Sequence, residues 1–147
     1  MINKISPYID DIEYKLVIND IINYEKNKYY GSIFIYKRNE EIWKDIIYSR
    51  ETSPYILIYN QIITGLKKAI ELDIKNIIVE CNNKKVLNEL QRKVKINILN
   101  IYFLYKEVNE LKKKFDNIIF INCITTSTSD LDVGINYKKY SNRCLIQ

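Results

Sequence analysis

Two asparagines, Asn82 and Asn83, stand directly after the apolar run Ile77-Ile78-Val79 and are followed at once by Lys84 and Lys85. A β-branched run of this kind is typical of a strand covered on both faces. Polar groups at the carboxyl end of such a strand lie where open α/β sheets carry their ligands. The cations continue with Arg92, Lys93 and Lys95. Two readings of this basic cluster stand side by side. It contacts phosphates, each neutralised charge adding salt-dependent affinity, or it is an ordinary solvated helix face. The net charge of +5, from 23 Lys and Arg against 18 acids, is compatible with a polyanionic partner, but a plain soluble surface is the preferred reading. Lys138, Lys139 and Arg143 read as a polar tail.

Other chemistries are excluded by what is missing. The chain has no histidine, and its three cysteines, Cys81, Cys123 and Cys144, include no CxxC pair. Neither a disulfide framework nor a cysteine–histidine zinc site fits. Cys81 and Cys123 end apolar runs and read as small buried hydrophobes. An intracellular, cytoplasmic setting is the expectation. The apolar runs fall short of the ~20 residues that span a bilayer, and MINKISPYIDDIEYK lacks the apolar core of a secretory signal; no membrane partner is expected.

The elements that must hold these residues follow from periodicity. Residues 1–12 form an irregular lead-in, and Tyr14 to Asp20 alternates as a first strand, with Leu16, Ile18 and Asp20 on one face. INYEKNKY reads as a polar connection, Tyr30–Tyr36 as a second strand and Ile42–Tyr48 as a third, with KRNEE as the hairpin loop. Glu40-Glu41 and Asp10-Asp11 read as solvated loop charges. After Ser53-Pro54, the residues Ile58, Ile62, Leu66, Ala69 and Ile70 recur at steps of three and four and build one helical stripe, closed at Leu72-Asp73. The strand at Ile77–Val79 is the fourth. Asn82 or Asn83 caps a helix over Lys84–Lys93 whose apolar side is Val86, Leu87 and Leu90. A longer helix spans Ile98–Phe115, a fifth strand Asn117–Cys123, and a short final helix begins at Leu131. Three strands in succession, then helix, strand, helices, strand, imply a mixed sheet: an antiparallel meander joined to two strands by helical crossovers. With 47% hydrophobic residues, the chain suits a single packed domain over residues 13–140, with 141–147 as a tail. Tyr29, Tyr30 and Tyr36 are candidates for stacking on bases. In a chain with 13 tyrosines, packing is the preferred reading, as it is for Trp43 as a core or edge anchor.

In order and local wording, the chain resembles the ribonuclease H family, type 1, and the wider RNase H-like fold. Tyr30-Gly31-Ser32-Ile33-Phe34 resembles the family's Tyr-Gly-Ala second strand. Ser53 through Tyr59, with Ile62-Ile63-Thr64-Gly65-Leu66, resembles its helix entry. Val79-Glu80-Cys81-Asn82-Asn83-Lys84-Lys85-Val86 resembles its strand-to-helix step, and the likeness runs over roughly residues 13–137. The resemblance implies an α/β fold with a mixed five-stranded sheet in the order 3-2-1-4-5, flanked by helices. It also implies phosphodiester hydrolysis by two Mg²⁺ ions ~4 Å apart, held by four clustered carboxylates.

The four positions depart from that pattern. The first falls at Asn19 or Asp20, and Asp20 is the better candidate. The second, the helix glutamate, is Ile58; the third is Asn82; the fourth is Asp132. An isoleucine offers no ligand and an amide only a neutral oxygen, whereas Mg²⁺ demands hard oxygens in octahedral order. Glu80 shares strand parity with Asn82 but lies about 6–7 Å back along the strand, at ~3.3 Å per residue, and reads first as a solvated or salt-bridged residue. The expectation is therefore a catalytically degenerate module that binds nucleic acid (RNA–DNA hybrid or duplex) or a protein. Its nucleic-acid contacts would be Thr52, Asn83, Lys84, Lys85, Arg92 and Lys93, although hydroxyls such as those of Thr52 and Ser53 more often cap helices. No cofactor is expected; Mg²⁺ would enter only with residual activity, at Asp20 and Asp132. Two alternatives are kept: an active ribonuclease H using Asp20, Glu80 and Asp132, and a purely structural interaction domain.

Overall fold

The computed structural model describes residues 11–19, 21–49, 53–91 and 99–122. Its elements are β1 (Tyr14–Ile18), β2 (Ile22–Glu25), β3 (Lys28–Lys37), β4 (Glu40–Ser49), α1 (Pro54–Glu71), β5 (Asn76–Cys81), α2 (Lys84–Leu90), α3 (Leu99–Lys112) and β6 (Asn117–Asn122). The strands make one mixed sheet. β3 pairs antiparallel with β4 along one edge and with β1 and β2 along the other, while β1, β5 and β6 run parallel. The path β4-β3-β1-β5-β6 is the order expected from the resemblance.

One element was not foreseen. The stretch read as a polar connection contains β2, which pairs Ile22 with Tyr30 and Glu25 with Lys28 around a turn at Lys26-Asn27. All four residues of β2 are exposed, so no burial alternation marks it. The turn is made by Asn27 at φ 58°, a left-handed conformation that asparagine tolerates. A second correction concerns Glu40 and Glu41, which open β4 opposite Lys37 and Tyr36 rather than lying in a loop. The hairpin needs only Arg38-Asn39 between paired residues, with Arg38 at φ 58°. Two helices also end earlier than expected, α2 at Leu90 rather than Lys93 and α3 at Lys112 rather than Phe115.

Packing follows the pleat. Leu16 and Ile18 of β1, Ile33 and Ile35 of β3, and Ile77, Val79 and Cys81 of β5 share a core with the buried face of α1. Each large aliphatic side chain buried there contributes roughly 1.5–3 kcal/mol. Helix and sheet approach closely at Gly65, where an added Cβ would stand 2.4 Å from Leu16 Cδ1. β5 is covered on both faces, because Ile78 and Glu80 on its other side are buried too. The helix stops at a Schellman motif. The Ile74 N–H donates to Ala69 O and the Asp73 N–H to Ile70 O, with Asp73 at φ 62°. α3 lies against α1, where Lys67 and Glu107 pair at 3.3 Å. No described helix is long and apolar enough to cross a membrane.

Candidate functional site

Parallel pairing brings the ends of β1 and β5 level, with Ile18 opposite Cys81, so the chain leaves both strands at the same edge. Asn19 and Asn82 are the next residues out. α1 and α2 begin beside them, and the gap between is a cleft of about 340 Å³ lined by Ile18, Asn19, Ile21, Pro54, Ile58, Cys81, Asn82 and Asn83. Two of the four positions that the family resemblance singles out, Ile58 and Asn82, therefore meet at one cleft together with Asn83. Asp20, Thr52, Arg92, Lys93, Lys95 and Asp132 lie outside the described residues.

The local geometry assigns work to several of these groups. Asn83 is the N-cap of α2, its Oδ1 accepting the Val86 N–H at 2.9 Å, which decides between the two asparagines. Asn82 is exposed at the rim. Ile58 is only 7% exposed, so its hydrocarbon forms part of the cleft wall. Glu80 does not face this group. Val17 and Glu80 are paired on the sheet face opposite Leu16 and Ile18, and Lys15 Nζ sits 2.9 Å from Glu80 Oε2. Lys84 is exposed. Lys85 is engaged twice, 3.6 Å from Glu89 Oε2 and 5.4 Å from the centre of the Tyr55 ring.

Two buried polar devices behind the cleft were not foreseen. Gln61 of α1 is fully buried, and its Nε2 donates to the carbonyls of Asn19 at 3.2 Å and Ser32 at 3.0 Å. Ser32 O also accepts the Asn19 N–H at 3.1 Å, so one carboxamide ties down the strand-end carbonyl next to the cleft. Its Oε1 has no hydrogen-bond partner among the described residues. The only sequence signal was a polar residue beside the apolar stripe of α1. In the second device, buried Tyr59 donates to Glu89 Oε1 at 2.7 Å, joining α1 to α2. Burial, then the hydrogen bond to Glu89, pushes the Tyr59 phenol far above its ordinary value.

The described donors alone do not suit a magnesium pair. Among the described lining residues the cleft offers amide oxygens, the Cys81 thiol and hydrocarbon, and no three carboxylates, cysteines or histidines are grouped anywhere in the described structure. Hard cations bound without charge compensation are not what this set favours.

The family described as reverse transcriptase-like matches residues 51–124, half of the chain. Comparison with curated protein sequences gives no match. Among solved structures, RNase H1 of the halophilic archaeon Halobacterium salinarum is similar with a TM-score of 0.67 at 12% identity, over 74% of this chain and 83% of that one. LC11-RNase H1, solved in complex with an RNA/DNA hybrid, gives 0.67 at 12% identity, over 87% and 88%. The foamy viral protease-reverse transcriptase, in complex with dsDNA, gives 0.62 at 11% identity, over 84% and 88%. The order of strands, the cleft where β1 and β5 end and these likenesses agree: the chain belongs to the reverse transcriptase-like family and has the RNase H-like fold.

Proposed function

We propose that this chain is an RNase H-like module that binds nucleic acid, with RNA–DNA hybrid as its leading ligand, and does not cleave it. The observation that carries the reading is Ile58, an aliphatic wall of the cleft at the position where the family resemblance puts a metal-binding glutamate. Asn82 supports it, with an amide where a carboxylate is called for. The ligand class is supported by the shared fold, since LC11-RNase H1 is held in complex with RNA/DNA hybrid and the foamy viral protein with dsDNA. The rival reading, an active ribonuclease H using Asp20, Glu80 and Asp132, is disfavoured because Glu80 is already paired with Lys15 on the other face of the sheet.

Binding of a labelled RNA–DNA hybrid by fluorescence anisotropy, in Mg²⁺ and in excess EDTA, tests the proposal. The expected result is binding that weakens as salt rises and is unaltered by EDTA. Lys84→Ala is expected to weaken it and flatten the salt dependence, by about 0.7–0.9 in the log–log slope for each lost phosphate contact. Binding that needs Mg²⁺ would contradict the proposal; no binding at low salt would leave the structural interaction domain.

A further inference from the structure

On the sheet face turned away from α1, three tyrosines from three strands close over one another. Tyr30 of β3 is opposite Ile22 of β2 and Tyr48 of β4. The Tyr24 and Tyr48 rings come from strands on either side of β3, yet their centroids are 6.1 Å apart at 88°, and both lie within 5.8 Å of Tyr30. Tyr48 is 64% exposed and Tyr24 45%. A cluster that served only to close the sheet would bury its rings, whereas this one presents them to solvent. The cluster is also near the cleft, because Ile22 directly follows the cleft residue Ile21 and Tyr30 is its strand partner.

Its surroundings carry cations. Exposed Lys26 stands in the turn next to Tyr24's strand. Lys44, on the same face as Tyr48, lies 5.6 Å from the centre of the Phe34 ring. Glu25, the acid at that turn, is already paired with Lys28 at 2.8 Å. Exposed aromatic faces beside lysines suit unpaired bases on a phosphate backbone, since every base has a π-face to stack and the charges follow the strand.

We infer that Tyr24, Tyr30 and Tyr48 form a stacking surface for a single-stranded nucleic-acid segment running from the end of a duplex held at the cleft. The inference rests on the proposed function for its duplex. It predicts that a hybrid with a single-stranded tail of several nucleotides binds more tightly than the same hybrid with blunt ends, by roughly tenfold for each stacked base.

The test compares blunt and tailed hybrids by anisotropy with the full chain, alongside Tyr24→Ala/Tyr48→Ala and Tyr48→Phe. Circular dichroism melts check that each variant is folded. The expected result is a tail advantage lost in the double alanine variant, kept in Tyr48→Phe, and blunt-end binding unchanged throughout. Equal binding of blunt and tailed hybrids overturns this inference alone. A tail advantage that survives in folded Tyr24→Ala/Tyr48→Ala also overturns it and leaves the surface to a protein partner. Failure of both hybrids to bind overturns the proposed function with it. If the double variant does not fold, Tyr48→Ser alone carries the same comparison.

Discussion

Gly31 and Gln61 are predicted to depend on each other. An alanine Cβ at position 31 would stand 2.3 Å from Gln61 Nε2, 2.5 Å from its Cδ and 2.9 Å from its Oε1, all closer than atoms pack. Gly31 has no positive φ, so its requirement is space and not backbone freedom. To accept Gly31→Ala, the Gln61 carboxamide must leave, giving up its bonds to Asn19 O and Ser32 O. Overpacking costs about 1–3 kcal/mol, and two buried hydrogen bonds about 1 kcal/mol each, so Gly31→Ala is expected to destabilise the fold by about 3–5 kcal/mol. Gln61→Ala alone loses those bonds and leaves a small void; Ser32 O keeps the Asn19 N–H, which limits the loss to about 2 kcal/mol. The double variant loses the bonds only once and fills the void with a methyl group. Urea denaturation of the four proteins gives the coupling, expected at about 3 kcal/mol or more in favour of the pair, since the shared bonds are lost once and the overpacking is relieved. Additive losses, or a Gly31→Ala protein as stable as the parent, would show that Gly31 and Gln61 do not share this space.

Tyr59→Phe should leave Glu89 buried with Lys85 as its remaining partner and lower stability by about 1–3 kcal/mol in urea melts near neutral pH. Because Tyr59 holds its proton more tightly in the folded chain, it adds stability below its unfolded value of about 10 that is lost as pH rises above it. Between pH 9 and 11 the parent should therefore lose more stability than Tyr59→Phe, as followed by melts across that range. Asp73→Gly should raise stability by about 0.5–1 kcal/mol, since glycine takes the left-handed position of the Schellman motif without strain; a lower melting temperature would count against it. Glu80→Gln should cost about 1 kcal/mol through the half-buried pair with Lys15 and leave hybrid binding unchanged. Impaired binding by folded Glu80→Gln would place Glu80 in the site after all.

What the sequence disclosed depended on how local the cause was. The Ile77-Ile78-Val79 run announces a strand buried on both faces because its own side chains demand it, and β5 has that burial. The stripe of α1 is likewise self-evident, including its end at Leu72-Asp73. β2 stayed hidden because an exposed strand held by backbone pairing and an asparagine turn has no apolar rhythm. Glu40 and Glu41 looked like loop charges for a related reason, as ladder bonds place them in β4 while their side chains stay in water. In the site, the Asn82-Asn83 pair and Ile58 were legible from position within motifs. The division of labour between the asparagines was not, since capping is decided by backbone geometry at Asn83. Gln61 was illegible for a longer-range reason: its partners lie 42 and 29 residues away in sequence, and its space depends on a glycine in another strand.

On the proposed function, the cleft walled by Ile58 and rimmed by Asn82 holds a nucleic-acid duplex without hydrolysing it. Prolonged incubation of the full chain with an end-labelled RNA–DNA hybrid in Mg²⁺ or Mn²⁺, resolved on a denaturing gel, shows whether hydrolysis occurs. Intact RNA is expected from both the parent and Asp20→Asn. Cleavage by the parent that disappears in Asp20→Asn would contradict the proposed function.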